Sequence, residues 1–207
     1  MKIGCVIMAS GEGKRFGSNK MLADIKGLSL VVRTMRSVPR GFDLVVSTRW
    51  PEVAELCRSE HVACVLHDGT LRSESVRAGL GRGLERGWKG CLFLPGDQPL
   101  VSEASFKALA RAFSRSGGTA PVRLACQGVP ASPVLFPASM FGDLMELEGK
   151  SGGGPLLKGR DDIVLVEARA YELWDVDTSK GVRRIGEYLS DCSYFDRLAH
   201  FNTEEQS

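Results

Sequence analysis

The chain has 207 residues, of which 43% are hydrophobic and 25% charged, values typical of a soluble globular domain. Its 27 basic and 25 acidic residues nearly balance and form no basic block, so we expect no nucleic-acid and no membrane partner. The apolar run near the N-terminus is too short for a signal peptide or a membrane span, which predicts a cytoplasmic protein.

Short apolar runs alternate with amphipathic segments along the first half of the chain. We predict strands at residues 2–8, 44–48, 62–67 and 90–95. We predict helices at residues 28–37, from Pro51 onward, at 73–85 with Ser73 as a cap, and at 102–114. This alternation is typical of an α/β fold in which a doubly wound, mainly parallel sheet carries helices on both faces, giving three layers.

The rhythm changes after about residue 117. We predict a short strand opened by Gly117-Gly118, a Gly- and Pro-rich stretch at 126–137, a helix at 141–147, strands at 163–167 and 172–176, and a last helix at 179–189. We interpret residues 1–190 as one domain, with a nucleotide-binding half to about 116 and an acceptor-binding half from 117. Residues 191–207 then form a C-terminal tail.

A Gly-rich, basic loop follows the first predicted strand and reads ASGEGKRFGSNK over residues 9–20. Small residues let the backbone approach a phosphate closely, while Arg15 and Lys20 supply positive charge. The spacing is not that of a Walker loop, and the third glycine comes one residue late for the dinucleotide fingerprint. The loop therefore favours a nucleoside triphosphate. The candidate nucleotide-binding residues are Ala9, Ser10, Gly11, Gly13, Arg15 and Lys20.

Two alternatives to a triphosphate loop stay open at this point. The segment could be a simple strand-to-helix turn with surface charges, or part of a dinucleotide-dependent reductase. The second of these is disfavoured because no acidic ribose partner follows the second predicted strand.

Carboxylates follow two other predicted strands. Asp97 lies directly after the strand at 90–95, where it could hold Mg²⁺ against a bound triphosphate or serve as an ordinary turn residue. Asp175 and Asp177 lie on one side of an extended segment, and we favour Asp177 as a second metal ligand. Asp177 or Thr178 could instead only cap the last helix.

Four motifs in this order resemble those of the nucleotidyltransferases that mature the molybdenum cofactor. They are the loop at 9–20, Gly-Asp-Gln-Pro-Leu at 96–100, Gly-x-Pro-x-x-Pro at 128–133 and Asp-x-Asp-Thr at 175–178. The chain is most similar to the cytidylyltransferase branch, although Ser10 stands where that branch usually has Ala. The resemblance spans residues 3–190 and implies a fold like that of nucleotide-diphospho-sugar transferases.

The resemblance implies roles for individual residues. It makes Arg15, Lys20 and Asp97 catalytic, and assigns Asp97 and Asp177 to Mg²⁺ or Mn²⁺. It places Ser73 and Ser75 near the nucleotide base, although this segment alone reads as an ordinary capped helix. The implied acceptor-binding residues are Gly128, Pro130 and Pro133, which could equally form a strand-entry turn. The composition of residues 150–154 suggests a mobile lid.

The implied reaction transfers CMP from CTP to the terminal phosphate of molybdopterin or its molybdenum-bearing form, with release of pyrophosphate. Another nucleoside triphosphate, such as GTP in a guanylyltransferase, and a sugar- or alditol-phosphate acceptor are alternatives. A non-catalytic nucleotide- or cofactor-binding maturation protein is a further one. A client molybdoenzyme or its chaperone is the implied partner.

The six cysteines include no C-x-x-C pair, and the three histidines do not have the spacing of metal ligands. We therefore expect reduced thiols and no zinc site.

Overall fold

Strands and helices alternate along the described part of the chain. In this computed structural model the described residues are 1–11, 13 and 16–204, with side chains described as far as residue 191. The strands are β1 Ile3–Met8, β2 Asp24–Ile25, β3 Leu28–Ser29, β4 Asp43–Thr48, β5 Ala63–Leu66, β6 Gly90–Pro95, β7 Val122–Cys126, β8 Val129–Pro137 and β9 Val164–Glu167. The α-helices are α1 Leu30–Ser37, α2 Pro51–Ser59, α3 Arg72–Glu85, α4 Glu103–Arg115, α5 Phe141–Met145 and α6 Ser179–Glu204.

A seven-stranded sheet runs through the molecule in the order β5-β4-β1-β6-β8-β7-β9, and β2 and β3 form a separate small hairpin. β8 is antiparallel to both of its neighbours, and the remaining pairs of the large sheet are parallel. The chain moves outward from β1 to β4 and β5, then returns to the other side of β1 with β6. This reversal between β1 and β6 is where open α/β sheets bind ligands, beyond the carboxyl ends of the strands.

Helices cover both faces of the sheet because alternate strand residues point to opposite sides. In β1, Cys5 and Ile7 belong to one apolar core, while Val6 belongs to the other. The first core receives buried residues of α1, α2, α4 and α6, and the second those of α3 and α5. The predicted doubly wound α/β fold with three layers is confirmed.

Local signals account well for α4 and β6. α4 buries Phe106, Leu109 and Phe113 along one stripe, and the Ser102 side chain caps its first turn by accepting from the Ser105 amide. β6 is almost continuously apolar, as expected for a strand covered on both faces. Among the helices in the described residues, none is long and apolar enough to cross a bilayer.

Several boundaries differ from the predictions for physical reasons. Residues 172–176 do not form a strand, because a 3₁₀ turn at Ala170–Leu173 buries Glu172 among backbone donors of two segments. Gly117 and Gly118 take positive φ angles of 69° and 75° and end α4, so the next strand starts only at Val122.

Helix ends also shift. α3 begins with Leu71 as its N-cap instead of Ser73, whose hydroxyl donates to the Gly149 carbonyl at 2.9 Å. The last helix continues to Glu204 instead of ending at residue 189. The first predicted helix starts at Leu30, because the two residues before it pair with Asp24–Ile25.

Candidate active site

The loop after β1 and the turn after β6 meet at the point where the strand order reverses. Lys20 opens a 3₁₀ turn, Lys20–Leu22, that ends the loop, and the Asn19 side chain caps this turn by accepting from the Met21 amide at 3.1 Å. Lys20 is only 9% exposed. A buried ammonium requires a negatively charged partner.

Two carboxylates converge on that ammonium. The Lys20 Nζ lies 2.5 Å from Asp97 Oδ2 and 3.1 Å from Asp177 Oδ1. Burial lowers the pKa of Lys20, but the charges and hydrogen bonds of Asp97 and Asp177 outweigh it and raise the pKa above its ordinary value. The ammonium therefore stays protonated at neutral pH, and the structure brings together three of the predicted site residues.

Asp175 is not part of this contact set. Burial, followed by the negative charges of Asp97 and Asp177, raises the pKa of Asp175. Its carboxylate therefore lies in the field of the other two without contacting the Lys20 ammonium within the range of an ion pair.

Backbone hydrogen bonds hold the segments that carry the two carboxylates. The Val176 amide donates to the Asp97 carbonyl at 3.2 Å, and the Gly96 amide donates to the Met8 carbonyl at 3.0 Å. Gly96 is required here because a Cβ would lie 3.0 Å from the Met8 oxygen and 2.9 Å from the Met21 sulfur. The absence of a side chain at Gly96 therefore lets the ends of β1 and β6 approach each other.

Hydrogen bonds to β4 hold the start of the glycine-rich loop at residues 9–20. The Ala9 amide donates to the Ser47 carbonyl at 2.9 Å, and the Thr48 hydroxyl donates to the Ala9 carbonyl at 2.9 Å. Ser10 Oγ lies 3.3 Å from the Ser47 oxygen and 2.9 Å from His67 Nε2. The loop therefore leaves the sheet from a fixed position.

The middle of the loop turns at Gly13. Gly13 has a φ of 59°, and its carbonyl accepts from the amides of Phe16 and Gly17. A Cβ at Gly13 would lie 2.4 Å from the Ser18 carbonyl oxygen, which makes glycine necessary. A Cβ at Gly11 would meet no atom within 4 Å. The predicted catalytic Arg15 lies outside the described residues.

Ser73 and Ser75 are both buried, at 0% and 2% exposure. The Ser73 hydroxyl donates to the Gly149 carbonyl, and the Ser75 carbonyl accepts from the Ser47 hydroxyl at 2.8 Å. These contacts join the first turn of α3 to β4 and to the segment before the expected lid. Base binding by Ser73 or Ser75 stays a prediction.

The acceptor motif begins in the hairpin between β7 and β8. Gly128 has a φ of 74°, and its amide donates to Glu167 at 2.9 Å, so it is a turn residue. Pro130 and Pro133 lie within β8, and the Ser132–Pro133 peptide is cis. Because β8 is antiparallel to β6, its first residues lie at the same sheet edge as Asp97. Acceptor binding by these residues stays a prediction.

His67 and Glu172 are residues that sequence reasoning missed. His67 follows β5 at the same edge as the loop, and that position is a signal that could have drawn attention to it. Glu172 accepts from the Ser102 amide, the Ser105 hydroxyl and the Arg169 amide, so it anchors the segment that leads to Asp177. No pattern in the sequence around Glu172 predicts this role.

Within the described residues, no group of three or more His, Cys, Asp or Glu side chains is arranged to hold a metal ion. Two carboxylates are nevertheless sufficient for Mg²⁺ when phosphate oxygens and water complete its shell. The cysteines whose side chains are described, Cys5, Cys57, Cys64, Cys91 and Cys126, carry free thiols.

Two proteins of known name are similar in sequence to this chain. Over 121 residues the chain is 38% identical to 3-deoxy-manno-octulosonate cytidylyltransferase of Chlorobium phaeobacteroides (strain BS1), covering 56% of this chain and 47% of the relative. It is 30% identical over 128 residues to 2-C-methyl-D-erythritol 4-phosphate cytidylyltransferase of Shouchella clausii (strain KSM-K16), covering 56% and 55% of the two chains. The chain thus spans about half the length of the curated relatives it matches.

A solved structure with the same fold is that of Rv0371C from Mycobacterium tuberculosis H37Rv in complex with manganese. Its TM-score is 0.70 at 24% identity, with 90% of this chain and 99% of that chain covered. The model of the MobA-like NTP transferase domain matches residues 5–164, which is well over half of the chain and extends from within β1 to the first residue of β9. The chain therefore belongs to the MobA-like NTP transferase domain family.

Proposed function

We propose that this protein is a metal-dependent nucleotidyltransferase that transfers CMP from CTP to the terminal phosphate of a molybdopterin-type acceptor. The observation that carries the proposal is the buried Lys20 ammonium, held by Asp97 and Asp177 beside a glycine-rich loop. This arrangement lies where parallel sheets bind nucleotides. Positive charge and metal-binding carboxylates at that position suit a triphosphate.

The carboxylates fit a divalent cation. Both reach the same Lys20 nitrogen within hydrogen-bond distance, so their oxygens are close enough to share one small ion. Asp97 and Asp177 would hold Mg²⁺ or Mn²⁺, which when bound would polarise the α-phosphate and offset its negative charge. The manganese complex of Rv0371C supports this choice of ion class.

The reaction needs no nucleophile from the protein. An oxygen of the acceptor phosphate attacks the α-phosphorus of the nucleotide and forms a new P–O bond. The bond from the α-phosphorus to the oxygen bridging to the β-phosphate breaks, and pyrophosphate leaves with that electron pair. Lys20 stays protonated and exchanges carboxylate contacts for phosphate oxygens, so its contribution is charge stabilisation and positioning.

The choice of CTP rests on the motif resemblance and is supported by the names of the two curated relatives, both cytidylyltransferases. The acceptor is less constrained, because those names specify a sugar acid and a phosphorylated polyol. A sugar- or alditol-phosphate is therefore the second candidate acceptor, with the same chemistry at the α-phosphate.

The first test measures heat denaturation with CTP, GTP, ATP, UTP and NADH, each with and without Mg²⁺. A ligand at 100 times its Kd stabilises the folded state by about 2.7 kcal/mol. We expect the largest Mg²⁺-dependent shift with CTP. A larger shift with GTP would indicate a guanylyltransferase, and a shift with NADH alone would overturn the transferase proposal.

The second test compares Asp97→Asn, Asp177→Asn and the matched control Asp175→Asn. We expect the first two to lose Mg²⁺-dependent CTP binding and pyrophosphate release, because each replaces an anionic oxygen that would hold the metal ion by a neutral amide. Both should remain folded, because the amide oxygen of asparagine can still accept from Lys20. Asp175→Asn should keep most activity. Full activity in Asp97→Asn would contradict the metal assignment. If the protein bound CTP but released no pyrophosphate from it in the presence of either class of acceptor, a non-catalytic maturation protein would be favoured.

A further inference from the structure

A chain of hydrogen bonds links the turn after β5 to the entrance of the phosphate loop. The Gly69 backbone amide donates to His67 Nδ1 at 3.1 Å. A backbone amide can only donate, so Nδ1 must be the unprotonated nitrogen of the ring. The His67 imidazole is therefore neutral in this arrangement and carries its proton on Nε2.

This tautomer determines the direction of the remaining bonds. His67 Nε2–H donates to Ser10 Oγ at 2.9 Å, and the Ser10 hydroxyl then donates to the Ser47 carbonyl at 3.3 Å. The same carbonyl accepts from the Ala9 amide at 2.9 Å. The Ser10 side chain is thus held from both sides at the residue where the loop leaves the sheet.

The surroundings of the ring favour its neutral form. The His67 amide donates to the Thr48 carbonyl at 3.0 Å, which fixes the end of β5 against β4. The charged groups around the ring, among the described residues, are Glu74 on α3, Arg49 after β4 and neighbouring Asp68. Burial, assisted by Arg49 and opposed by Glu74 and Asp68, lowers the pKa of His67 below its ordinary 6.5.

Gly69 allows the close approach on which the chain of bonds depends. A Cβ at Gly69 would lie 2.6 Å from the Glu74 Cβ, so a side chain there would push the turn away from α3. The Glu74 carboxylate in turn accepts from the Leu71 amide at 2.7 Å and orders the first turn of that helix. The turn that carries His67 and Gly69 therefore lies close against the first turn of α3.

We propose that His67 is a positioning residue for the nucleotide: its neutral ring accepts from the Gly69 amide and so aims its Nε2–H at Ser10, and protonation of the ring breaks the Gly69 bond and loosens the hold on Ser10, where the glycine-rich loop begins. The proposal rests on the nucleotide-binding function proposed above. Protonation would place a second N–H at Nδ1, facing the Gly69 amide, and two donors cannot bond each other. Because the His67 pKa lies below 6.5, nucleotide affinity should be full near neutral pH and decline as the pH falls through the acid range.

The test compares His67→Ala, His67→Gln and Ser10→Ala, with His61→Asn as a matched control. His61 is an exposed histidine in a turn with a φ of 55°, which asparagine tolerates. The Kd of Mg²⁺-CTP is measured by titration calorimetry at several pH values between about 5.5 and 8, the range in which histidine titrates. Circular dichroism at each pH confirms that the variants are folded.

We expect His67→Ala and Ser10→Ala each to raise the Kd about threefold to tenfold near pH 8, the range expected for one lost hydrogen bond. His67→Gln keeps an N–H donor without titrating, so its affinity should change less toward acid than that of the unaltered chain. The comparison at equal pH cancels titration of the nucleotide's own phosphate, whose last pKa is about 6. His61→Asn should behave like the unaltered chain.

An unchanged Kd in His67→Ala, or an acid-dependent loss as large in His67→Gln as in the unaltered chain, would overturn the proposal. The ring can also be observed without any nucleotide, through the ¹⁵N shifts of its two nitrogens at pH 8. A proton on Nε2 is expected, and a proton on Nδ1 would contradict the assignment. A chain that binds no nucleotide but shows the expected tautomer would count against the proposed function and leave the hydrogen-bond arrangement intact.

Discussion

Gly79 lies in the middle of α3, where the helix packs against β1 of the sheet. A Cβ at this position would lie 2.4 Å from Val6 Cγ1 and 3.1 Å from Val6 Cγ2. Val6 is fully buried in β1 and cannot move aside without shifting its neighbours. Gly79→Ala should therefore destabilise the protein even though alanine favours helix.

Two opposing effects determine the magnitude. Replacing glycine by alanine inside a helix stabilises by about 0.5 to 1 kcal/mol, whereas forcing a methyl group into a packed core costs about 1 to 3 kcal/mol. We expect Gly79→Ala to lower the free energy of unfolding by about 1 to 2 kcal/mol on balance. Gly81 is the matched control, because a Cβ there meets nothing within 4 Å in the same helix. Gly81→Ala should raise the free energy of unfolding, and so stabilise the protein, by about 0.5 to 1 kcal/mol.

Urea denaturation followed by circular dichroism measures both variants under identical conditions. A second variant pair, Val6→Ala with and without Gly79→Ala, tests the contact itself, because removing the valine methyl groups should relieve much of the cost. If Gly79→Ala were as stable as Gly81→Ala, close packing of α3 on β1 would not explain the glycine. Destabilisation that persisted fully in the Val6→Ala background would point to a different neighbour.

Two further predictions concern carboxylates that accept hydrogen bonds from distant segments, the half-buried Asp43 and the buried Glu172. Asp43 accepts from Trp88 Nε1 at 2.8 Å; burial opposes its ionisation, but that bond and the Arg86 charge hold the pKa of Asp43 below 3.8. Asp43→Asn should lower the free energy of unfolding by about 1 kcal/mol at neutral pH. In urea denaturation, the difference between this variant and the unaltered chain should shrink as the pH falls below 3.8, and a difference that stayed constant would contradict the prediction. Burial raises the pKa of Glu172, but the hydrogen bonds from Ser105 and its neighbours outweigh this effect and lower the pKa below its ordinary value. Glu172→Gln should therefore lower the free energy of unfolding by about 1 to 3 kcal/mol above pH 4.5, and by less in acid. An unchanged denaturation midpoint in Glu172→Gln would show that the carboxylate does not anchor this segment.

Elements with a strong local signal were predictable almost to the residue. β6 was expected at 90–95 and occupies Gly90–Pro95, and α4 shifts by one residue from its predicted bounds. The segment at 172–176 failed because its alternation resembles a strand, while burial of Glu172 among donors from α4 imposes a 3₁₀ turn. A pattern within five residues cannot report a partner that is 70 residues away.

The candidate site likewise combines residues that could be identified from the sequence with contacts that could not. The glycine-rich loop, Asp97 and Asp177 were identifiable as motifs, because phosphate and metal chemistry require particular residue types in short strings. That Lys20 contacts Asp97 and Asp177, 77 and 157 residues further on, depends on the sheet order. The position of His67 directly after a strand was a weak signal, because a lone histidine there carries no motif, and its contact with Ser10, 57 residues away, depends on the fold.

By itself the sequence determined the α/β alternation and the positions of the glycine-rich loop and the candidate carboxylates, and it predicted the triphosphate chemistry that they favour. These properties reside in local periodicity and residue type, which short windows of the chain contain in full. Only the tertiary structure decided which carboxylates meet the buried ammonium, which groups the His67 ring contacts and why a side chain at Gly79 would clash with Val6. Each of those depends on distances between segments far apart in the chain, and such distances exist only once the two cores have packed against the sheet.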